Sequence, residues 1–299
     1  MHMKTPRCIE KLAMMTVLML LLFTWLLPAA AAEPAYNGNE WAVLLYVNKH
    51  RMSNGRRPLG MIPRLQTAAR IRANELVDMV NDGMEVDHIR PDGRGWNTVL
   101  EELGFIGPVP FGAGENLAAG PRSANEAFSF WRMSPGHNRT LLGGMYHHLG
   151  CGYAEGGRYH TNYVLIALMA GCEFQGLRLV LPDKPLAADP DTTMESLGIQ
   201  VVATCAVHGD SYMPLIAEMC SPDAFSHAFQ QQVTVTLEGH TAEFVVNEGS
   251  IAWTIEDLMA LVDHMVEDKP IPDPRKANPD GLGGVDEKDL LFVIDLLVR

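Results

Sequence analysis

Apolar residues recur at three- and four-residue spacing from about 40 to 133 and at alternate positions after 147, so helices come first in this region and strands follow. That order implies an α+β fold class. Asn39 is placed to cap a helix through Glu40–Arg51, which Ser53-Asn54-Gly55 stops. Leu65 to Val80 carries Leu65, Ala68, Ala69, Ile71, Leu76 and Val80 on one helical stripe. Trp96 to Leu103 reads as a short third helix, ended by Gly104. Ser123 to Met133 reads as a fourth, with Ser123 and Glu126 at capping-box spacing and Pro135-Gly136 as its stop. His147–Tyr153 and Tyr163–Met169 are strand-like runs joined by a turn at Glu155-Gly156-Gly157.

The N-terminus fixes the compartment. Lys4, Arg7 and Lys11 precede an apolar run from Leu12 to Leu27, and Pro28 leads into Ala29–Ala32. This is the pattern of a secretory signal peptide over 1–32, and the run is short of the ~20 residues of a membrane span. The expected protein is secreted, with no membrane span after cleavage. The whole chain carries a net charge of −13, and loss of a leader with net +2 takes it to −15. Such acidity argues against binding to nucleic acid or anionic membranes. The 47% hydrophobic content is ample for a core.

Cleavage leaves Cys151, Cys172, Cys205 and Cys220, an even number that fits two disulfides in a secreted chain. Sequence leaves three pairings open, with four reduced thiols as the alternative. One arrangement links Cys151 to Cys172 across a hairpin and Cys205 to Cys220.

Composition divides the mature chain at about 176 and 240. Residues 39–176 hold the helices and strands above. Residues 177–240 open with Pro182, Pro185 and Pro190 and continue with alternating Val233, Val235 and Leu237, which reads as a linker plus a small β-rich unit. Residues 241–299 carry two similar helix patterns, Ile255–Val266 and Lys288–Val298. Their cores, Glu256-Asp257-Leu258-Met259 and Lys288-Asp289-Leu290-Leu291, repeat at 32 residues.

His88, Glu115 and His137 each lie in or beside a Gly- or Pro-edged segment. Two imidazoles and a carboxylate suit Zn²⁺ or another divalent metal with an open position, and equally a proton-relay pair or a structural hydrogen bond. Their separations of 27 and 22 residues fit no local metal motif. His147 and His148 are adjacent, so on a strand they point to opposite faces and do not chelate together.

Six pieces in order give this region a family resemblance. They are Asn48 and Arg51 with Pro58-Leu59, His88-Ile89-Arg90-Pro91-Asp92-Gly93, Gly114-Glu115-Asn116-Leu117-Ala118, Trp131, Ser134-Pro135-Gly136-His137, and Leu149-Gly150-Cys151-Gly152. The stretch 39–176 resembles the CAP superfamily, the cysteine-rich secretory and SCP-type extracellular domains, in its bacterial form. The resemblance implies a three-layer α-β-α sandwich with His88, Glu115 and His137 converging in a surface cleft. It also implies a lipid or small ligand in that cleft in some members. Where many members place a Glu three residues after the Trp, this chain has Ser134, which removes one acidic partner.

Residues 278–289 place Asn278, Asp280, Asp286 and Asp289 at positions 1, 3, 9 and 12 of a calcium loop, with Gly283 at the turn. The matching earlier segment, 246–257, keeps only Glu248, Ser250 and Asp257. The pair resembles a degenerate type I dockerin, which implies Ca²⁺ in the second loop and a cohesin-like scaffold protein as partner. The expected function is therefore a non-enzymatic extracellular binding module with a divalent-metal cleft and a docking tail. The rivals are a metal-assisted hydrolase with Glu115 as base and a purely structural or docking protein.

Overall fold

The computed structural model describes residues 36–105, 112–168, 174–188, 191–226, 230–248, 254–267 and 269–272, with short helical pieces at 290–291 and 293–294. The first helix, α1 (Gly38–Ser53), starts two residues before the expected start at Glu40. Asn37 caps it instead, and Glu40 returns a bond to the Asn37 backbone. Strand β1 (Gly60–Met61) leads into α2 (Pro63–Asn81), whose first residue is a proline with its φ already set for a helix. Then come α3 (Thr98–Glu102), β2 (Ala113–Ala119) and α4 (Ala124–Met133), the last capped by Ser123 as its spacing predicts. Pro135-Gly136 ends α4 but also opens a further helix, α5 (Pro135–Leu142), which places His137 in a first helical turn rather than a loop. Strands β3 (His148–Glu155) and β4 (Thr161–Leu168) form the expected hairpin.

One seven-stranded sheet organises the chain. Its order is β2-β4-β3-β1-β8-β7-β5, with β5 at Phe174–Val180, β7 at Gln200–Cys205 and β8 at Gly209–Pro214. The boundary expected at 176 therefore falls inside β5. Strand β8 pairs with β1, so residues from the expected β-rich unit extend the first region's sheet. A second sheet, β6-β11-β10-β9, is built round a hairpin of β10 (Gln230–Leu237) and β11 (His240–Glu248), flanked by β6 (Ala187–Ala188) and β9 (Cys220–Ser221). It buries Val233, Val235 and Leu237, the alternation read from the sequence, and β11 crosses the boundary expected at 240.

Helix α2 lies on one face of the large sheet because two glycines let it. A Cβ on Gly150 would stand 2.2 Å from the Leu65 carbonyl oxygen, and one on Gly152 would stand 2.0 Å from that of Ala69. Gln66 then reaches Cys151 at the same crossing. Its amide donates to the Cys151 carbonyl at 2.5 Å and accepts from the Cys151 N–H at 2.9 Å. Leu65, Ala68, Ala69, Leu76 and Met79 pack with Leu117, Val164 and Ile166 into a core below α2. Cys151 points to the other face, toward Glu40, and α1 packs there on β3. The result is an α+β sandwich followed by a β-rich region.

Two residues of the family-like pieces serve this frame. The Asn48 side chain donates to the Leu59 carbonyl at 2.9 Å and accepts from its N–H at 2.8 Å. Buried Arg51 donates to the carbonyls of Arg57, Leu141 and Gly143.

Both cysteine pairings drawn above fail. Cys151 and Cys220 are free thiols, whereas Cys205 is disulfide-bonded to a partner outside the described residues. Topology gives the reason. Cys151 pairs with Leu165 in the middle of the large sheet, Cys205 ends β7 of that sheet, and Cys220 lies in the second sheet against Val235. Cys172 lies outside the described residues.

At the C-terminus α6 (Ile255–Glu267) matches the first expected helix. No helix pair is evident among the described residues. Leu261 and Val293 are buried, whereas Met259 is 54% exposed. Asp257, placed above as a calcium-loop ligand, accepts from the N–H and hydroxyl of Thr254, while its own N–H donates to that hydroxyl. It closes a cap on α6. The loop with Asn278, Asp280, Asp286 and Asp289 lies outside the described residues. No helix among the described residues is long and apolar enough to cross a membrane.

The glycine contacts predict that Gly152→Ala will destabilise the chain by about 1–3 kcal/mol through overpacking. Urea unfolding should show a lower midpoint at unchanged slope, whereas Gly176→Ala, with open space around it, should change it little.

Candidate functional site

Strand β2 is the edge of the large sheet, and groups from both faces meet over it. Glu115 and Leu117 share the β2 side that faces α2, and Leu117 joins the core there. Glu115 therefore meets Arg72 of α2. The Arg72 Nε donates to Glu115 Oε1 at 2.8 Å, and neither side chain is exposed to any extent (0% each). His88 follows α2 in a loop tied down by its own backbone, with Trp96 N–H donating to the His88 carbonyl at 2.8 Å. Its Nδ1 lies 2.7 Å from Glu115 Oε2. His137 arrives from the other side of the edge. Asn116, alternating with Glu115, donates to the His137 carbonyl at 3.1 Å and so fastens α5 to β2.

The three residues singled out in the sequence thus gather at one place. His88 and His137 line an open cleft of about 380 Å³ with Val86, Asp87, Leu117, Ala118, Ala119, Phe130 and Tyr159. Glu115 stands behind His88, buried. The cleft continues past Ala119 and Phe130 into a hollow bordered by Gly120, Pro121, Arg122 and Glu126. Phe130 is 56% exposed, so an apolar surface stands at the cleft mouth. Trp131 supports the floor, donating its indole N–H to the Leu117 carbonyl at 2.9 Å.

Sequence reasoning missed Arg72, although a sign was present. Its number continues the apolar stripe Leu65, Ala68, Ala69, Leu76, Met79, so a helix packed on that stripe must bury a guanidinium. Alternating charges satisfy it. Arg72 Nη1 donates to Glu75 at 2.7 Å, Arg90 holds Glu75 and Glu102, and Arg94 joins Glu102 to Asp92. Arg90 and Asp92, in the loop with His88, are thereby structural. Deleting one partner of a buried pair of this kind costs about 3–5 kcal/mol.

The two histidines are driven apart. The hydrogen bond to Glu115 raises the His88 pKa above its ordinary value, against a partial desolvation. Burial lowers that of His137, helped by repulsion from His88. His88 therefore holds its proton to higher pH than His137 does. They suit donating and accepting a hydrogen bond to one ligand. His148, adjacent to His147, is no part of this; its ring is buried beside His208, and burial brings its pKa down to about 3.

A divalent metal fits the trio poorly. Both Glu115 oxygens are engaged, and a dication on that carboxylate would sit roughly 5 Å from a buried guanidinium. At an effective dielectric of about 20 that repulsion is about 7 kcal/mol. Among the described residues no three His, Cys, Asp or Glu side chains are grouped so as to hold a metal.

Helices thus cover both faces of the sheet, and two histidines and a buried glutamate gather at its β2 edge. Residues 44–168 match the family model described as "CAP: Cysteine-rich secretory protein family". Among curated proteins the chain is similar to "Uncharacterized protein YkwD" of Bacillus subtilis (strain 168), 27% identical over 131 residues. That match covers 44% of this chain and 48% of the relative, so the chain spans about half the length of that protein. Among solved structures it is similar to an extracellular protein containing a SCP domain from Bacillus anthracis str. Ames, at 20% identity and a TM-score of 0.39, covering 46% of this chain and 45% of that one. A cysteine-rich secretory protein from Staphylococcus aureus subsp. aureus Mu50 matches at 18% identity and a TM-score of 0.35, covering 48% and 40%.

The opposed shifts predict two separate ring titrations in an NMR pH series. His88 should titrate above 6.5 and His137 below it. A raised folded pKa means that the His88–Glu115 bond stabilises fully below 6.5 and that its contribution fades as pH rises through the folded value. His88→Gln should flatten that part of the stability–pH curve.

Proposed function

We propose that this chain is a secreted extracellular protein whose CAP domain is a non-enzymatic binding module for a small or lipid-like ligand. One observation carries the reading. The cleft joins apolar walls, Leu117, Ala118, Phe130 and Tyr159, to two imidazoles of opposite protonation tendency. A ligand would lay an apolar part against Phe130 and hydrogen-bond through a polar head to His88 and His137. Arg72 and the basic-apolar leader at 1–32 support the two halves of this statement: a preset polar cleft and export. The metal-assisted hydrolase alternative needs Glu115 free as a base, and its engagement by Arg72 and His88 weighs against that role.

The test is a panel of small amphiphiles, a carboxylate, an alcohol and an amine on one common chain, titrated against the His ring resonances. At least one should move both His88 and His137 signals, and Phe130→Ala should weaken it by about 10-fold, as loss of a buried aromatic contact does. If none moves either ring, the cleft is not a binding site for this class.

A second role, docking through residues 241–299 on a cohesin-like scaffold, is favoured by the exposed Ile255, Met259 and Val266 of α6. On that reading Asn278, Asp280, Asp286 and Asp289 hold Ca²⁺. Calorimetric titration of the chain with Ca²⁺ should give one site that Asp280→Ala abolishes; absence of heat in the parent chain would remove calcium from the reading.

A further inference from the structure

The residue pattern offers His88, Glu115 and His137 to a divalent metal, yet the carboxylate already has a cation. Arg72 donates from Nε to Glu115 Oε1 at 2.8 Å, and its Nη2 stands 3.5 Å from Oε2. The remaining side of the fork is used as well. Nη1 donates to Glu75 at 2.7 Å, and Nη2 donates to the Asp87 carbonyl at 3.1 Å. Asp87 directly precedes His88, so this last bond also fixes where the imidazole emerges.

We propose that Arg72 is the resident cation of the cleft and that it keeps divalent metals off the His88/Glu115/His137 trio. A guanidinium cannot lose its charge in a protein, and this one cannot leave. It rises from the buried stripe of α2 between Ala69 and Leu76, both fully buried, and solvent reaches none of its side chain. A metal on Glu115 would have to share an oxygen that already accepts from Arg72 Nε or His88 Nδ1, and would stand beside the guanidinium charge. Taking that oxygen would leave Arg72 buried with less than its full set of partners, which proteins tolerate poorly. Arg72 thus determines the specificity of the cleft. With the metal position filled by a side chain, ligands meet two imidazoles as hydrogen-bonding groups and find no open coordination position. Metal-chelating head groups such as hydroxamates gain nothing here over other polar heads.

This concerns the cleft of the proposed function but does not rest on which ligand enters it. The readout is metal uptake, so failure of the amphiphile titration leaves it standing, and metal uptake leaves the amphiphile result standing. The full chain, stripped with chelator and dialysed, is titrated with Co²⁺ and followed by its visible absorption, with Zn²⁺ as competitor. The parent chain should show no uptake that a His88→Ala/His137→Ala double variant removes. Arg72→Gln, which keeps a hydrogen bond to Glu115 and drops the charge, should gain Co²⁺ affinity by about 100-fold or more, and adding His88→Ala should cancel the gain. Circular dichroism checks that Arg72→Gln is folded. If it is not, Arg72→Gln/Glu75→Gln, which also removes the second carboxylate, takes its place. One equivalent of metal in the parent chain, lost in the double histidine variant, would overturn the proposal. So would a folded Arg72 variant that binds Co²⁺ no better than the parent.

Discussion

Helix α2 can lie on β3 only because Gly150 and Gly152 offer no Cβ to its backbone carbonyls. That approach sets the depth at which every α2 side chain meets the sheet. It buries Leu65, Ala69 and Leu76, and it also buries Arg72 at the level of Glu115 on β2. A helix held even one side chain further out would leave Arg72 in solvent and Glu115 without its partner. The geometry of the cleft is thus inherited from two glycines on β3, which β4 separates from β2 in the sheet.

Once Arg72 is buried, its charge has to be met, and the surrounding sequence is arranged to meet it. Glu115 comes from the sheet, Glu75 from the next turn of the same helix, and the Asp87 carbonyl from the loop that presents His88. Arg90 holds the same Glu75, so the loop is fastened to α2 at two points. His88, which lines the cleft, therefore emerges from a loop hydrogen-bonded to the helix. Its partner across the cleft is placed by a different device, a helix that begins at Pro135 and is tied to β2 by Asn116. The two imidazoles differ in protonation because one has Glu115 behind it and the other has only burial and the first histidine's charge.

The second half of the chain is less separate than its composition. Prolines and a loss of helical period mark 177 onward as a new region, yet β5, β7 and β8 complete the sheet that β1 to β4 begin. Composition registers the prolines and the lost helical period, and it carries no information on which strands pair. Cys205 shows the same limit. One of the open pairings joined it to Cys220, as the pair left over from a Cys151–Cys172 hairpin link, but the two lie in different sheets. Asp257 likewise fits a calcium-loop position by count, and the fold uses it to cap α6.

By itself the sequence determined α1 to α4 and the β3–β4 hairpin, because their apolar periods, caps and glycine stops act over a few residues, whereas β1, β2 and α5 were not legible in it. It also singled out His88, Glu115 and His137, which stand at loop edges and in family-like pieces, but not the Arg72 that meets Glu115. Tertiary structure alone decided what those residues do. The carboxylate that reads as a metal ligand is neutralised by an arginine 43 positions earlier in the chain. That pairing depends on a helix crossing a strand at close range, a contact between segments far apart in sequence, and no local pattern encodes it.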